Sequence, residues 1–311
     1  MERVYLTRNI PKAVSMLKEY FELIIHDSTK PPDRYEIVKN VSNVYAILCS
    51  PSDNIDSIVI NAANKLRVIS TYSVGYDHID LASANARGII VGYTPNVLTN
   101  ATADLTFALL LAIARRVVEG DKLIRSAKWS NIYEYNFMLG RDLEGKILGI
   151  IGLGRIGAAV ARRAAGFGMK IVYNSREKKN IYEYLSLDEL LKVSDFVSIH
   201  TPLNEHTYHM IGEKELKSMK RCAYLINTAR GKIVDERALI RALKEGWIAG
   251  AALDVYEQEP LVASELIELD NVVLTPHIGS ATIETRERMA EIAALNIINP
   301  YKGLEPIYRV K

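Results

Sequence analysis

The segment ILGIIGLGRIGAAVARRAAGFGMKIVY, residues 147–173, constrains this chain more than any other stretch. Ile147–Ile151 is an apolar run of strand length, and Gly152, Gly154 and Gly157 behind it match G-x-G-x-x-G. A helical pattern follows, in which Ala158, Ala161 and Ala165 suit close packing, and a second strand-like run begins at Lys170. Glycine at 152 permits a tight turn, at 154 it lets the main chain approach a pyrophosphate, and at 157 it lets helix and strand close up. The pyrophosphate sits at the helix N-terminus, where free N–H groups and the dipole favour anions. By itself the glycine pattern is weak. Between a strand and a helix it reads as a dinucleotide site whose contacts are Gly152, Leu153, Gly154, Arg155, Ile156 and Gly157.

The rest of the chain repeats the same alternation. RVYLT, LIIHD, YAILCS, LRVIST and IIVGYT read as strands, with amphipathic stretches such as PKAVSMLKEYF and SIVINAANK between them. This is the pattern of parallel α/β structure. A long apolar helix follows Pro95, with Asn100 or Thr102 as cap. The strand–helix alternation restarts at residue 145 and continues to NVVLTPHIG. The last helical stretch, TIETRERMAEIAALNIINPYKG, has no strand of its own to cross to. It is expected to return to the first unit. Residues 1–98 with 286–311 then form one discontinuous domain, and 99–285 the dinucleotide-binding domain that carries the glycine motif.

Bulk properties exclude several classes. With 39 Lys and Arg against 37 Asp and Glu, the net charge of +2 leaves no footprint for nucleic acid or an anionic membrane. The strongest apolar run, FALLLAIA at 107–114, is far shorter than a membrane span. The N-terminal stretch MERVYLTRNIPKAV has no apolar signal core, so a cytoplasmic protein is expected. Cys49 and Cys222 lie in apolar, strand-like runs and read as buried thiols, not a disulfide. No metal is called for.

Three later stretches carry chemistry. Arg230 follows a strand in AYLINTARGKIVDERALIRAL, Glu259 follows the next in AGAALDVYEQEP, and His277 the one beyond in NVVLTPHIGSAT. Together with GLGRIG, in this order and spacing, they resemble the D-isomer-specific 2-hydroxyacid dehydrogenase family over nearly the whole chain. VISTYSVGYDHID and GYTPNVLTNATAD look closest to its glyoxylate and hydroxypyruvate reductase branch. The resemblance implies an α/β fold of two doubly wound parallel-sheet domains, a Rossmann cofactor domain and a flavodoxin-like substrate domain with a cleft between them. It implies a catalytic set of Arg230, Glu259 and His277, and substrate binding through main-chain amides at Val74 and Gly75. It gives Thr228, Ala229 and Asp254 contacts to the nicotinamide carboxamide, and it implies a homodimer. In that branch the segment WSNIYEYNFMLGRD, short here, can carry an aromatic residue to the partner; Tyr133 and Tyr135 are the candidates.

The residue chemistry supports the same reading. Ligands of a doubly wound sheet bind outside the carboxyl ends of its strands, so three residues following three strands can meet in one crevice. Reduction of a 2-oxo acid needs a proton at the carbonyl oxygen, which an imidazole can supply. The substrate carboxylate suits a forked guanidinium. A carboxylate beside the imidazole stabilises imidazolium. Glu257 competes with Glu259 for that role, and Asp254 can equally be a turn cap. Of the remaining histidines, His200 ends a strand and can line the cofactor site. The expected activity is NADPH-linked reduction of glyoxylate or hydroxypyruvate. The alternatives are another 2-oxo acid, such as a phosphoglycerate-type substrate, or a dinucleotide-sensing binding protein.

The cofactor preference is read from KIVYNSREKK, residues 170–179. About 20 residues beyond the glycine loop, an NAD-binding chain carries an acid that bonds the ribose. Here that position is Ser175, followed by Arg176, with Lys178 or Lys179 nearby. A missing carboxylate and adjacent cations favour a 2′-phosphate, so NADP(H) is expected to be preferred, with NAD(H) possible.

Overall fold

Val4, Tyr5 and Leu6 are completely buried, as are all four residues of Ala46–Cys49, and both runs lie in one parallel sheet. Burial on both faces is what continuous apolar strands require. The computed structural model describes residues 1–130 and 134–310, and the chain divides into two compact units. Unit 1 comprises Met1–Leu98 and Ser280–Lys311; unit 2 is Thr99–Gly279.

Unit 1 holds strands β1 (Arg3–Leu6), β2 (Glu22–Ile25), β3 (Ala46–Cys49), β4 (Val68–Thr71) and β5 (Ile90–Gly92). Their order is β2-β1-β3-β4-β5, the flavodoxin-like arrangement. The five runs read as early strands are these five. The final helix, Ile283–Tyr301, packs against β4 and the first helix, Pro11–Leu17. Ser70 donates to the Ala293 carbonyl at 2.9 Å and Tyr72 to that of Arg286 at 2.7 Å. The chain re-enters unit 1 at Ser280, upstream of residue 286, because this helix starts at Ile283 behind a Thr282 cap and travels as one element.

Unit 2 holds β6 (Ile147–Ile151), β7 (Lys170–Asn174), β8 (Glu183–Tyr184), β9 (Phe196–Ile199), β10 (Tyr224–Asn227), β11 (Gly250–Leu253) and β12 (Val272–Leu274). The order is β12-β11-β10-β9-β6-β7-β8, with every pairing parallel. The chain leaves β6 in one direction through β7 and β8, then resumes on the other side at β9. This reversal beside β6 is the switch point at which doubly wound sheets bind ligands.

Three local expectations change. On the helix Arg155–Gly166 the buried face is Gly157, Val160, Ala161 and Ala164, while Ala165 is exposed. The helical period of 3.6 residues carries the face through 164. Cys49 is buried but Cys222 is exposed, because β10 begins only at Tyr224 and Cys222 lies in the turn before it. The apolar helix spans Thr99–Ala114, so it starts before either expected cap, and it packs on β10, β11 and β12. Among the described residues no helix is long and apolar enough to cross a membrane.

Candidate active site

The glycine turn joins β6 to the helix Arg155–Gly166. Gly152 has φ of +96°, a left-handed conformation that favours glycine. A Cβ at Gly157 would lie 2.2 Å from the Gly152 carbonyl oxygen, so the helix closes directly on the turn. Gly154 caps the helix and faces open space. The Leu153 side chain is buried in the core, so only its main chain can meet a ligand; Ile156 is partly buried against the same core and Arg155 is exposed. First-turn N–H groups have no intrahelical acceptors. This cradle fits a pyrophosphate.

At the end of β7, the Ser175 hydroxyl donates to the Glu177 carbonyl at 2.5 Å. It closes its own turn. Arg176 is exposed beside it. After β9, His200 shares a 2.8 Å hydrogen bond with Ser198 Oγ, and burial pushes its imidazole down to about 3. A group held neutral in this way is a poor proton donor at neutral pH.

Arg230, Glu259 and His277 follow β10, β11 and β12. The Arg230 turn is stapled by Asn227, whose Nδ2 donates to the Arg230 carbonyl at 2.9 Å and whose Oδ1 accepts from Ala229 N at 3.0 Å. The guanidinium Nη1 donates to Ala229 O at 2.8 Å. Thr228 Oγ1 pairs with Thr106 Oγ1 at 2.8 Å. A Cβ at Gly231 would lie 2.0 Å from the Tyr256 carbonyl carbon, so the Arg230 turn packs on the main chain that leads to Glu259.

Glu259 meets His277. Glu259 Oε2 and His277 Nδ1 are 2.6 Å apart, with the two side chains 33% and 39% exposed. Glu259 Oε1 accepts from Tyr256 N at 3.0 Å. Burial alone would raise the Glu259 carboxyl. The His277 hydrogen bond and charge, the Tyr256 N–H and the Arg230 charge together outweigh it and hold the carboxyl below its usual range. Glu257 instead bonds His209 Nε2 at 2.7 Å.

The loop bearing His277 is built by Asp254. This carboxylate is completely buried. Its Oδ1 accepts from Thr275 Oγ1 at 2.7 Å and Ile278 N at 2.8 Å, and its Oδ2 from Gly279 N at 2.8 Å. Burial pushes the carboxyl above its ordinary range, and these donors pull the other way. His277 has φ of +53°, a conformation that costs a non-glycine residue about 1–3 kcal/mol. The Asp254 bonds on either side of His277 hold it there, and Tyr256 OH adds a bond to Thr275 O at 2.9 Å. Asn227, Gly231 and this loop-building role of Asp254 were not apparent in the sequence. Their signal was limited to an Asn and a Gly flanking TAR and an Asp ending a strand.

In unit 1, Val74 and Gly75 follow β4. Ser73 Oγ donates to the Gly75 carbonyl at 2.5 Å, and among the described residues no acceptor takes either N–H. Tyr133 lies outside the described residues, and Tyr135 is 89% exposed. Among the described residues no cluster of His, Cys, Asp or Glu could hold a metal ion.

This arrangement has known counterparts. The model of the D-isomer specific 2-hydroxyacid dehydrogenase NAD binding domain matches residues 107–279. The chain belongs to the D-isomer-specific 2-hydroxyacid dehydrogenase family. It is an NAD(P)-dependent dehydrogenase of the 2-oxo/2-hydroxy acid class. It is 52% identical to the glyoxylate reductase of Thermofilum pendens over 315 residues, covering 98% of this chain and 93% of the relative. A solved protein from Thermus thermophilus superposes with a TM-score of 0.94 at 48% identity, covering 99% and 100% of the two chains. The NADPH-dependent glyoxylate/hydroxypyruvate reductase of Sinorhizobium meliloti, solved with NADP and malonate, superposes with a TM-score of 0.91 at 32% identity, covering 99% and 96%. Within this D-2-hydroxyacid dehydrogenase the glycine turn lies inside the matched segment, as do Arg230, Glu259 and His277.

Proposed function

We propose that this D-2-hydroxyacid dehydrogenase reduces glyoxylate or hydroxypyruvate to the 2-hydroxy acid with NADPH, and that His277 is its acid/base. The observation that carries the reading is the 2.6 Å Glu259–His277 pair, standing one strand away from Arg230. Glu259 holds Nδ1, so Nε2 is the nitrogen that delivers the proton to the carbonyl oxygen. The carboxylate stabilises the imidazolium before transfer. Arg230 supplies forked donors to the substrate carboxylate. In unit 1 the proposed anion contacts are the N–H groups of Val74 and Gly75, which makes unit 1 the substrate-binding domain and unit 2 the cofactor domain.

The glycine turn and the helix N-terminus would hold the pyrophosphate. Thr228 and Ala229 would offer main-chain contacts, and Asp254 would act at the nicotinamide end of the site. Bound NADPH supplies the hydride. Preference for NADPH rests on Ser175 in place of an acid, on the neighbouring cations, and on the NADPH-dependent relative from Sinorhizobium meliloti. Glyoxylate and hydroxypyruvate are favoured by the names of the relatives.

Pairing of two copies through unit 2 is proposed from a helix without a core side. Val117–Arg125 has no buried residue, and Val117, Ile124, Trp129 and Leu139 are more than half exposed around it. Sedimentation of the purified chain tests the dimer.

The test of activity is a set of initial rates for a panel of 2-oxo acids, each with NADH and NADPH. Fastest turnover of glyoxylate or hydroxypyruvate with NADPH is expected. Equal efficiency with both cofactors would overturn the NADPH preference, and a bulkier best substrate would overturn the substrate assignment.

A further inference from the structure

The loop after β7 carries Arg176, Lys178 and Lys179, and their surroundings differ. Arg176 is exposed and makes no side-chain hydrogen bond or ion pair among the described residues. Lys178 Nζ lies 4.6 Å from the centre of the Tyr184 ring and is spent on that face. Lys179 Nζ donates to the Leu153 carbonyl at 2.7 Å, inside the glycine turn. The Lys179 main chain is pinned as well. The fully buried Tyr173 hydroxyl accepts from Lys179 N and donates to Lys179 O, the latter at 2.6 Å. Among the described residues no carboxylate pairs with Lys179.

We propose that Lys179 is the residue that determines specificity for the 2′-phosphate of NADP. This rests on the NADPH reading above and names the group that carries it. In an NAD-binding chain an acid at the end of the second strand faces the ribose. Here Ser175 holds that place, and its hydroxyl is turned onto Glu177 O. Lys179 comes from the same loop and brings positive charge onto the turn that receives the dinucleotide. An ammonium has three donors, of which the Leu153 carbonyl uses one. Its present acceptor is a neutral carbonyl, so a phosphate dianion is the stronger partner. Because Tyr173 fixes its main chain, little ordering is needed on binding. Arg176 starts without such bonds and must lose more side-chain freedom to bind the same group. Lys179 therefore contributes more than Arg176.

Calorimetric titration with 2′,5′-ADP and with 5′-AMP tests this without turnover. Wild type is expected to bind 2′,5′-ADP at least tenfold more tightly than 5′-AMP. Lys179→Met keeps the stem and removes the charge. It is expected to lose ten- to hundredfold affinity for 2′,5′-ADP while its affinity for 5′-AMP changes by less than about twofold. Arg176→Met loses less, and Lys179→Arg retains most of the preference. If wild type shows no preference for 2′,5′-ADP, the NADPH reading falls and takes this inference with it. If wild type prefers 2′,5′-ADP and Lys179→Met does too, only the role of Lys179 falls. Equal weakening of both ligands in Lys179→Met would make the residue a brace for the glycine turn, which also overturns the proposal.

Discussion

Glu257 and Glu259 are two residues apart, and each holds a histidine. Glu257 meets His209 at 2.7 Å and Glu259 meets His277 at 2.6 Å. Both histidines have left-handed φ, +48° and +53°. Distance and backbone conformation do not separate the pairs. The ring nitrogen does. Glu257 takes Nε2 of His209, which consumes the outer tip of the ring. Glu259 takes Nδ1 of His277, which leaves the tip pointing onward. The remaining contacts agree. Glu257 also accepts from Glu236 N at 3.0 Å, and the His209 ring stacks on Tyr208 with centroids 4.1 Å apart. That pair ties surface segments together. The His277 pair is held by Asp254 and Tyr256 and leaves Nε2 with no hydrogen bond among the described residues.

The comparison breaks most visibly at the two histidines. His277→Ala should lower turnover of the 2-oxo acid by about a hundred- to ten-thousandfold, the range for loss of a general acid, with binding of 2′,5′-ADP retained. Steady-state rates of His277→Ala and His209→Ala measured side by side decide it. Equal losses in the two variants would mean that the choice of ring nitrogen does not matter. Next in size is Arg230→Lys, which keeps the charge and loses the fork. A fall of about one to two powers of ten in kcat/KM is expected, and an unchanged KM profile across 2-oxo acids would remove Arg230 from carboxylate binding.

Asp254→Asn sharpens the comparison from beneath. The carboxamide would turn an N–H donor towards donors that Asp254 now satisfies. A loss of about 1–3 kcal/mol in unfolding free energy is expected from urea titration, together with reduced turnover as the His277 loop loosens. Full stability would show that the loop stands without this carboxylate.

Glu259→Gln should move the pH dependence of reduction towards lower pH, because the imidazolium loses its carboxylate. A superimposable profile would sink that role. The same pair has a stability signature. The folded Glu259 carboxyl lies below its usual range. Its stabilisation is therefore complete above the ordinary carboxyl range and is lost as pH falls through the lowered folded value. The smallest effect is expected at Glu257→Gln. That substitution should change stability by no more than about 1 kcal/mol, as part-exposed ion pairs do, and leave turnover within a few-fold of wild type.

Much of this was legible in the sequence. GLGRIG between a strand and a helix was legible as a turn–helix cradle because the requirement is local: the φ of +96° at 152 and the close contact at 157 both favour glycine. The continuous apolar runs were legible as parallel strands because burial on both faces leaves no polar alternation. The resemblance pointed to Glu259 beside His277, but the residues alone left Glu257 open and gave no sign of its partner His209. Both glutamates lie in VYEQEP, and nothing within that hexapeptide tells which histidine each will meet. The same holds for Lys178 and Lys179, adjacent in sequence yet one over a tyrosine ring and the other on the glycine turn.

The sequence by itself determined the two sheets, the glycine turn and the three residues that follow β10, β11 and β12, because periodicity and local backbone demands act over a few residues. Tertiary structure alone decided that Glu257 goes to His209, that Asp254 organises the His277 loop, and that Lys179 reaches Leu153. Each of these is a contact across strands, and its formation depends on strand order and on which way a side chain leaves its turn.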